Sequence, residues 1–135
     1  MWSASEYAPY QVGVTYLTTT SKKLDTSIFY PMDKQENPNY DALWFKDPAE
    51  AFTTFKREVN SVLGLPMIPD CVLRPIVNIK IPATIDGKLC ERFDSGEEAM
   101  RPMIFAHGLG AEKAFYTAAC HAMAANGYLV IAVNH

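Results

Sequence analysis

A chain of 135 residues, 49% hydrophobic and 20% charged, carries enough apolar material for one packed domain, which excludes a disordered or collagen-like segment. A net charge of -3 supplies no basic field to hold a phosphate backbone, so nucleic-acid binding is excluded as a function class. Cys71, Cys90 and Cys120 are unevenly spaced and form no C-x-x-C pair; they read as reduced and mostly packed, with no zinc or redox motif.

The first residues, Met1 to Tyr7, have no charged n-region followed by an apolar stretch, and Trp2 stands where a myristoylation signal needs glycine. No apolar run approaches the ~20 residues that cross a bilayer, so a cytoplasmic protein is the expectation. From Tyr10 to Thr19, Val12, Val14, Tyr16 and Thr18 recur at period two. Leu24, Thr26, Ile28 and Tyr30 repeat the pattern after Ser21-Lys22-Lys23, which predicts two antiparallel strands in a hairpin. Pro31 is expected to stop the second strand, and Asp33 to Asp41 to form a polar loop.

Asp47, Pro48 and Glu50 then stand as N-cap, first helical residue and capping-box partner. The helix they open puts Phe52, Phe55, Val59, Val62 and Leu63 on one face, and Gly64 and Pro66 end it. That face, continued by Leu65, Met67 and Ile68, has two readings: a helix packed on its own sheet, or one that docks on a lipid surface. The following segment is rich in proline, with one short strand predicted at Ile76 to Ile81. Ile85-Asp86-Gly87-Lys88 reads as a turn, Asp94 to Glu98 as surface, and Asp70, Glu91 and Asp94 as solvated loop charges.

The last third changes character. Met103-Ile104-Phe105-Ala106 is a short continuous apolar run, predicted to be a strand buried on both faces of a parallel sheet. A helix is predicted from Lys113 with Phe115, Ala118, Ala119, Ala122 and Met123 on its inward face, ended by Gly127. Tyr128 to Val133 is a second buried strand. Strand, loop, helix and strand make a βαβ unit, so the fold class is α/β: a hairpin leading into a mostly parallel sheet. Between the strand and the helix lies His107-Gly108-Leu109-Gly110. Glycines there let backbone N–H groups approach an anion closely, or merely join strand to helix.

Pro9-Tyr10-Gln11-Val12-Gly13, Ile28-Phe29-Tyr30-Pro31, His107-Gly108-Leu109-Gly110-Ala111 with Tyr116-Thr117-Ala118, and Gly127-Tyr128 leading to Val133-Asn134-His135 resemble the platelet-activating-factor acetylhydrolases, in that order. The resemblance implies an α/β-hydrolase fold, of which residues 1–135 form the N-terminal portion of a single domain. It also implies hydrolysis of short or oxidised sn-2 acyl groups of phospholipids by serine, aspartate and histidine, with no cofactor or metal. The partners it implies are a phospholipid substrate and a membrane or lipoprotein surface. In this reading Leu109 donates an oxyanion-hole N–H, and His107, Gly108 and Gly110 shape its loop. His107 bonds the loop backbone, His121 lies on a polar helix face, and His135 ends a strand.

No serine from Ser3 to Ser95 lies in G-x-S-x-G, and the family order is serine, acid, histidine. All three catalytic groups are therefore expected beyond His135, and residues 1–135 alone are expected to be inactive. A general lipase or esterase of the same fold, and a truncated non-catalytic paralogue that binds lipid or a partner, are the alternatives.

Overall fold

Alternating side chains build the hairpin where the pattern puts it. In a computed structural model that describes residues 8–19, 24–63, 69–108 and 113–134, β1 (Gln11–Thr18) and β2 (Asp25–Met32) pair antiparallel from Gln11↔Met32 to Thr18↔Asp25. Val12 and Val14 are buried, as their period-two row predicts. In β2 the residue facing Val14 is buried Phe29, one position out of phase with the predicted row of Thr26, Ile28 and Tyr30, of which Thr26 and Ile28 are only half-buried. Pro31 does not stop β2. The strand pairs with its other neighbour only from Thr26 to Phe29, so a missing N–H at Pro31 breaks no ladder on that side. The Pro31 carbonyl accepts a hydrogen bond from the Cys90 N–H at 3.0 Å.

The chain forms two compact units, Met1–Ala42 with Pro82–His135, and Leu43–Ile81. The first unit holds a five-stranded sheet in the order β3-β1-β2-β5-β4, where β3 is Ala83–Ile85, β4 is Arg101–Ala106 and β5 is Tyr128–Val133. The pairs β1/β3 and β4/β5 are parallel, whereas β1/β2 and β2/β5 are antiparallel. Four strands therefore run one way and β2 alone opposes them. Strand β3 was not foreseen: three residues are too short for periodicity to register.

A glycine is required at position 13. It pairs with Tyr30, and a Cβ there would stand 2.3 Å from the Tyr30 ring. The ring lies across Gly13 and its hydroxyl donates to the Gly87 carbonyl at 2.7 Å, tying β2 to the turn after β3.

Strand β4 departs from expectation. Among the described residues it is the outermost strand of the sheet, with β5 as its one neighbour, and Arg101, Pro102, Ile104 and Ala106 are exposed, Ile104 at 76%. Helical cover reaches it on the side of Phe105, whose ring packs on Tyr116 with centroids 4.9 Å apart. Among the described residues nothing covers Ile104.

The helix before β5 has a different inward face from the one predicted. A 3₁₀ turn, Lys113–Tyr116, precedes α4 (Thr117–Ala124), and the buried residues are Lys113, Ala114, Thr117, Cys120, His121, Ala124 and Ala125. Phe115 is 48% exposed, and Ala118, Ala119 and Ala122 face solvent. The segment is small or apolar on both sides, so its pattern carries no phase. His121 is correspondingly not on a polar face. It is 4% exposed and donates from Nε2 to the Pro82 carbonyl at 3.1 Å. Gly127, at φ +93°, turns the chain from α4 into β5. Here α3 is the single turn Glu91–Asp94, capped by Asp33, whose Oδ2 accepts the Glu91 N–H and whose Oδ1 accepts the Cys90 thiol.

In the second unit α1 spans Pro48–Leu63, opened as its sequence predicts: Asp47 Oδ1 accepts the N–H groups of Ala49 at 2.9 Å and Glu50 at 3.1 Å. The strand expected at Ile76 to Ile81 is replaced by α2 (Asp70–Val77), which buries Leu73 and Val77 one turn apart. Pro75 argued against a helix, but in an eight-residue helix it removes a single bond, the one to the Cys71 carbonyl; at the C-terminal end Asn78 Nδ2 donates to the Arg74 carbonyl. Only Lys80 keeps a strand-like bridge, to Leu43. Asp70, Glu91 and Asp94 are exposed, as read, but each sits in the first turn of a helix rather than a loop. The side chains of Phe55, Val59, Val62 and Leu63, and residues 64–68, lie outside the description.

Candidate active site

Because β1, β3, β4 and β5 share one direction, their C-terminal ends meet at one edge of the sheet with the first residue of β2. Open α/β sheets bind their ligands at such an edge. Tyr16, Asp86, His107, Gly108 and Asn134 stand there, together with Asp25. The sequence-predicted loop begins at the end of β4: His107 is half-buried, with Nδ1 3.1 Å from the Gly108 carbonyl, and Gly108 is exposed. A Cβ at Gly108 would lie 3.7 Å from the Tyr116 hydroxyl, so that phenol flanks the loop's upstream end. Leu109 and Gly110, and His135, lie outside the described residues.

The downstream end is held by three residues that sequence reasoning missed. Asn134, just after β5, accepts the Lys113 N–H on its Oδ1 at 2.9 Å. The Lys113 ammonium, on a residue only 5% exposed, pairs with the Asp25 carboxylate. The Asp25 carbonyl in turn accepts the Asn134 N–H at 2.9 Å, closing a ring between the start of β2, the end of β5 and the start of the 3₁₀ turn. The sequence signals only that Lys113 needs a partner, and not which residue supplies it. A lysine in the first turn of a helix opposes the helix dipole, and such a local misfit asks for an anionic partner.

The same edge is acidic beside β1. The Tyr16 hydroxyl is pushed up to about 12 by burial first and then by Asp25, Asp41 and Asp86. It therefore remains a neutral phenol through the physiological range. Among the described residues no group of three His, Cys, Asp or Glu side chains could hold a metal ion. Cys90 and Cys120 are buried and Cys71 is exposed, all three as free thiols; burial raises Cys120 to about 11, which makes it a poor nucleophile. The opposite end of the sheet carries a cavity of about 180 Å³ lined by Tyr10, Gln11, Lys34, Tyr40, Pro82 and His121, remote from the His107 loop along β1.

Comparison with known proteins agrees with this geometry. A solved ferulic acid esterase from Streptomyces cinnamoneus superimposes with a TM-score of 0.57 over 96% of the chain and 34% of its own length, at 18% identity, so the fold is α/β-hydrolase in its first strands. A curated platelet-activating factor acetylhydrolase from Cavia porcellus is 32% identical over 130 residues, 94% of this chain and 27% of the relative. The chain thus spans about a quarter of that relative's length. The family model described as platelet-activating factor acetylhydrolase, isoform II, matches residues 4–135, and with that match across both units the chain belongs to the platelet-activating factor acetylhydrolase family.

Proposed function

We propose that this chain supplies the oxyanion-binding side of a serine-dependent carboxylic ester hydrolase that removes short or oxidised acyl groups from the sn-2 position of phospholipids. What supports the reading is the end of β4. In a chain of this family, His107 and Gly108 leave a parallel strand at the sheet's C-terminal edge and lead directly into Leu109 and Gly110.

When a serine attacks an ester carbonyl, the carbonyl oxygen gains a full negative charge. A backbone N–H already aimed at that oxygen stabilises the transition state without reorganisation. Leu109 supplies one such donor in this reading, and the residue after the nucleophile supplies the other. Glycines on both sides of Leu109 keep Cβ atoms away from the reacting ester. The nucleophile, its acid and its histidine belong, in the same reading, to sequence beyond β5.

The test is acetate release from 1-alkyl-2-acetylglycerophosphocholine by the native gene product in EDTA. Calcium-independent hydrolysis, abolished by a serine-directed organophosphate, is the expected result. Equal or greater efficiency on simple aryl acetates would move the reading to a general esterase. No hydrolysis of either ester would favour a lipid-binding paralogue without catalytic function.

A further inference from the structure

We infer that Asp25, Lys113 and Asn134 are positioning residues for ester hydrolysis: they fix the point at which the chain re-enters the fold after the His107-Gly108 turn, although none of them touches the ester. The inference rests on the proposed oxyanion role of that turn.

A connection of a few residues is only as well placed as its two ends. Upstream, β4 pairs with β5 from Arg101↔Tyr128 to Ala106↔Val133. Downstream, Lys113 is the first residue of a 3₁₀ turn that runs on into α4, and the first groups of a helical segment have no partners within it. Tertiary contacts supply them. Two are made by the same residue, the N–H to Asn134 Oδ1 and the ammonium to Asp25. The third, from Asn134 N–H to the Asp25 carbonyl, locks the two acceptors to each other.

The anchors also belong to the right strands. Asp25 begins β2 and Asn134 follows β5, and these are the interior neighbours of the sheet that pair from Thr26↔Val133. The downstream end of the turn is thereby referred to two paired strands of the sheet at once. The choice of a lysine is informative. Burying an ammonium is costly unless it is paired and hydrogen-bonded, and a neutral residue of similar length would fill the space without that cost. The charge is retained where it fixes geometry, and a donor misplaced by about 1 Å can cost up to about 100-fold in rate.

Two readouts on the native gene product test this. Asn134→Ala removes the acceptor, and hydrogen exchange at the amides of residues 107–113 should speed up while β1, β2 and β5 keep their protection. With p-nitrophenyl acetate, kcat should fall by roughly 10- to 100-fold with KM changed by no more than about twofold. Asn134→Asp keeps an oxygen at that place and should restore most of kcat. Lys113→Met should act like Asn134→Ala, with Lys113→Arg as its rescue; if Lys113→Met fails to fold, the Asn134 pair still decides.

Unchanged exchange at 107–113 in Asn134→Ala overturns the inference. So does faster exchange with full kcat, and so does an equal loss of kcat and melting temperature in Asn134→Ala and Asn134→Asp. If the wild-type protein hydrolyses no ester, it is the proposed function that fails, and the exchange arm still decides whether the ring anchors the turn.

Discussion

Two neighbouring strands, β4 and β5, read almost alike as apolar runs and occupy opposite situations. Strand β5 lies between β2 and β4 with Val130 and Ala132 sealed from solvent, whereas among the described residues β4 has β5 as its one neighbour and leaves Ile104 largely bare. An apolar run encodes that a strand is fit to be covered; it does not encode how many neighbours cover it. Position in a sheet comes from pairing partners distant in sequence, here Thr26 to Phe29 on one side of β5 and Arg101 to Ala106 on the other. The catalytic reading draws on both strands, because the turn leaves the uncovered one and its far end is tied back to the covered one.

The comparison breaks most visibly with one charge placed on each strand. Val130→Asp buries a carboxylate with no partner, and a loss of stability on the order of 4 kcal/mol or more is expected. In residues 1–135, Ile104→Asp stays in water and should shift the stability of that chain by no more than about 1 kcal/mol. Chemical denaturation of both variants measures this; a comparable loss at Ile104 would mean that β4 is covered after all.

The contrast can be sharpened with two glycines. Gly13 on interior β1 has no room for a Cβ, so Gly13→Ala should cost roughly 1–3 kcal/mol as the Tyr30 ring is driven from the Gly87 carbonyl. At the end of β4, Gly108→Ala meets only the Tyr116 hydroxyl at 3.7 Å and should be near neutral for stability. Thermal melts of the pair decide, and similar losses would contradict the difference in packing.

A smaller effect separates the two by pH. His121 lies buried in α4, which packs on β5 and β2, and burial lowers its pKa below the ordinary 6.5, with the bond to the Pro82 carbonyl opposing weakly. The folded state thus binds fewer protons than the unfolded state. The stability this neutral imidazole contributes is fully present above pH 6.5 and is lost as pH falls from there through the depressed folded pKa. His121→Gln should flatten that slope in melts taken between pH 7.5 and 5. An unchanged slope would mean that His121 is not the group that titrates.

What the sequence made legible was whatever a few adjacent residues decide among themselves. Asp47, Pro48 and Glu50 announce α1 because capping chemistry acts within one turn, and the hairpin shows in its period-two faces. Less of α4 was readable: Ala118 and Ala122 are as apolar as Ala114 and Ala124, so which row turns inward is settled by the sheet beneath. Pro75 hid α2, and β3 was too short to see. Of the candidate site, the His107-Gly108 turn was legible from its glycines and its place between strand and helix. The ring of Asp25, Lys113 and Asn134 was not, since its members are 88 and 21 residues apart and meet only once β2 and β5 pair.

The oxyanion assignment of Leu109 is tested most directly by a pair of substitutions in the native gene product, assayed on an acetyl ester. Leu109→Ala keeps the backbone N–H and should leave kcat within a few-fold of the wild-type value. Leu109→Pro deletes the donor and should lower kcat by about 100- to 1,000-fold, with KM and melting temperature unchanged. Near wild-type kcat in Leu109→Pro would contradict the account and leave the turn as a plain connection between β4 and the 3₁₀ turn.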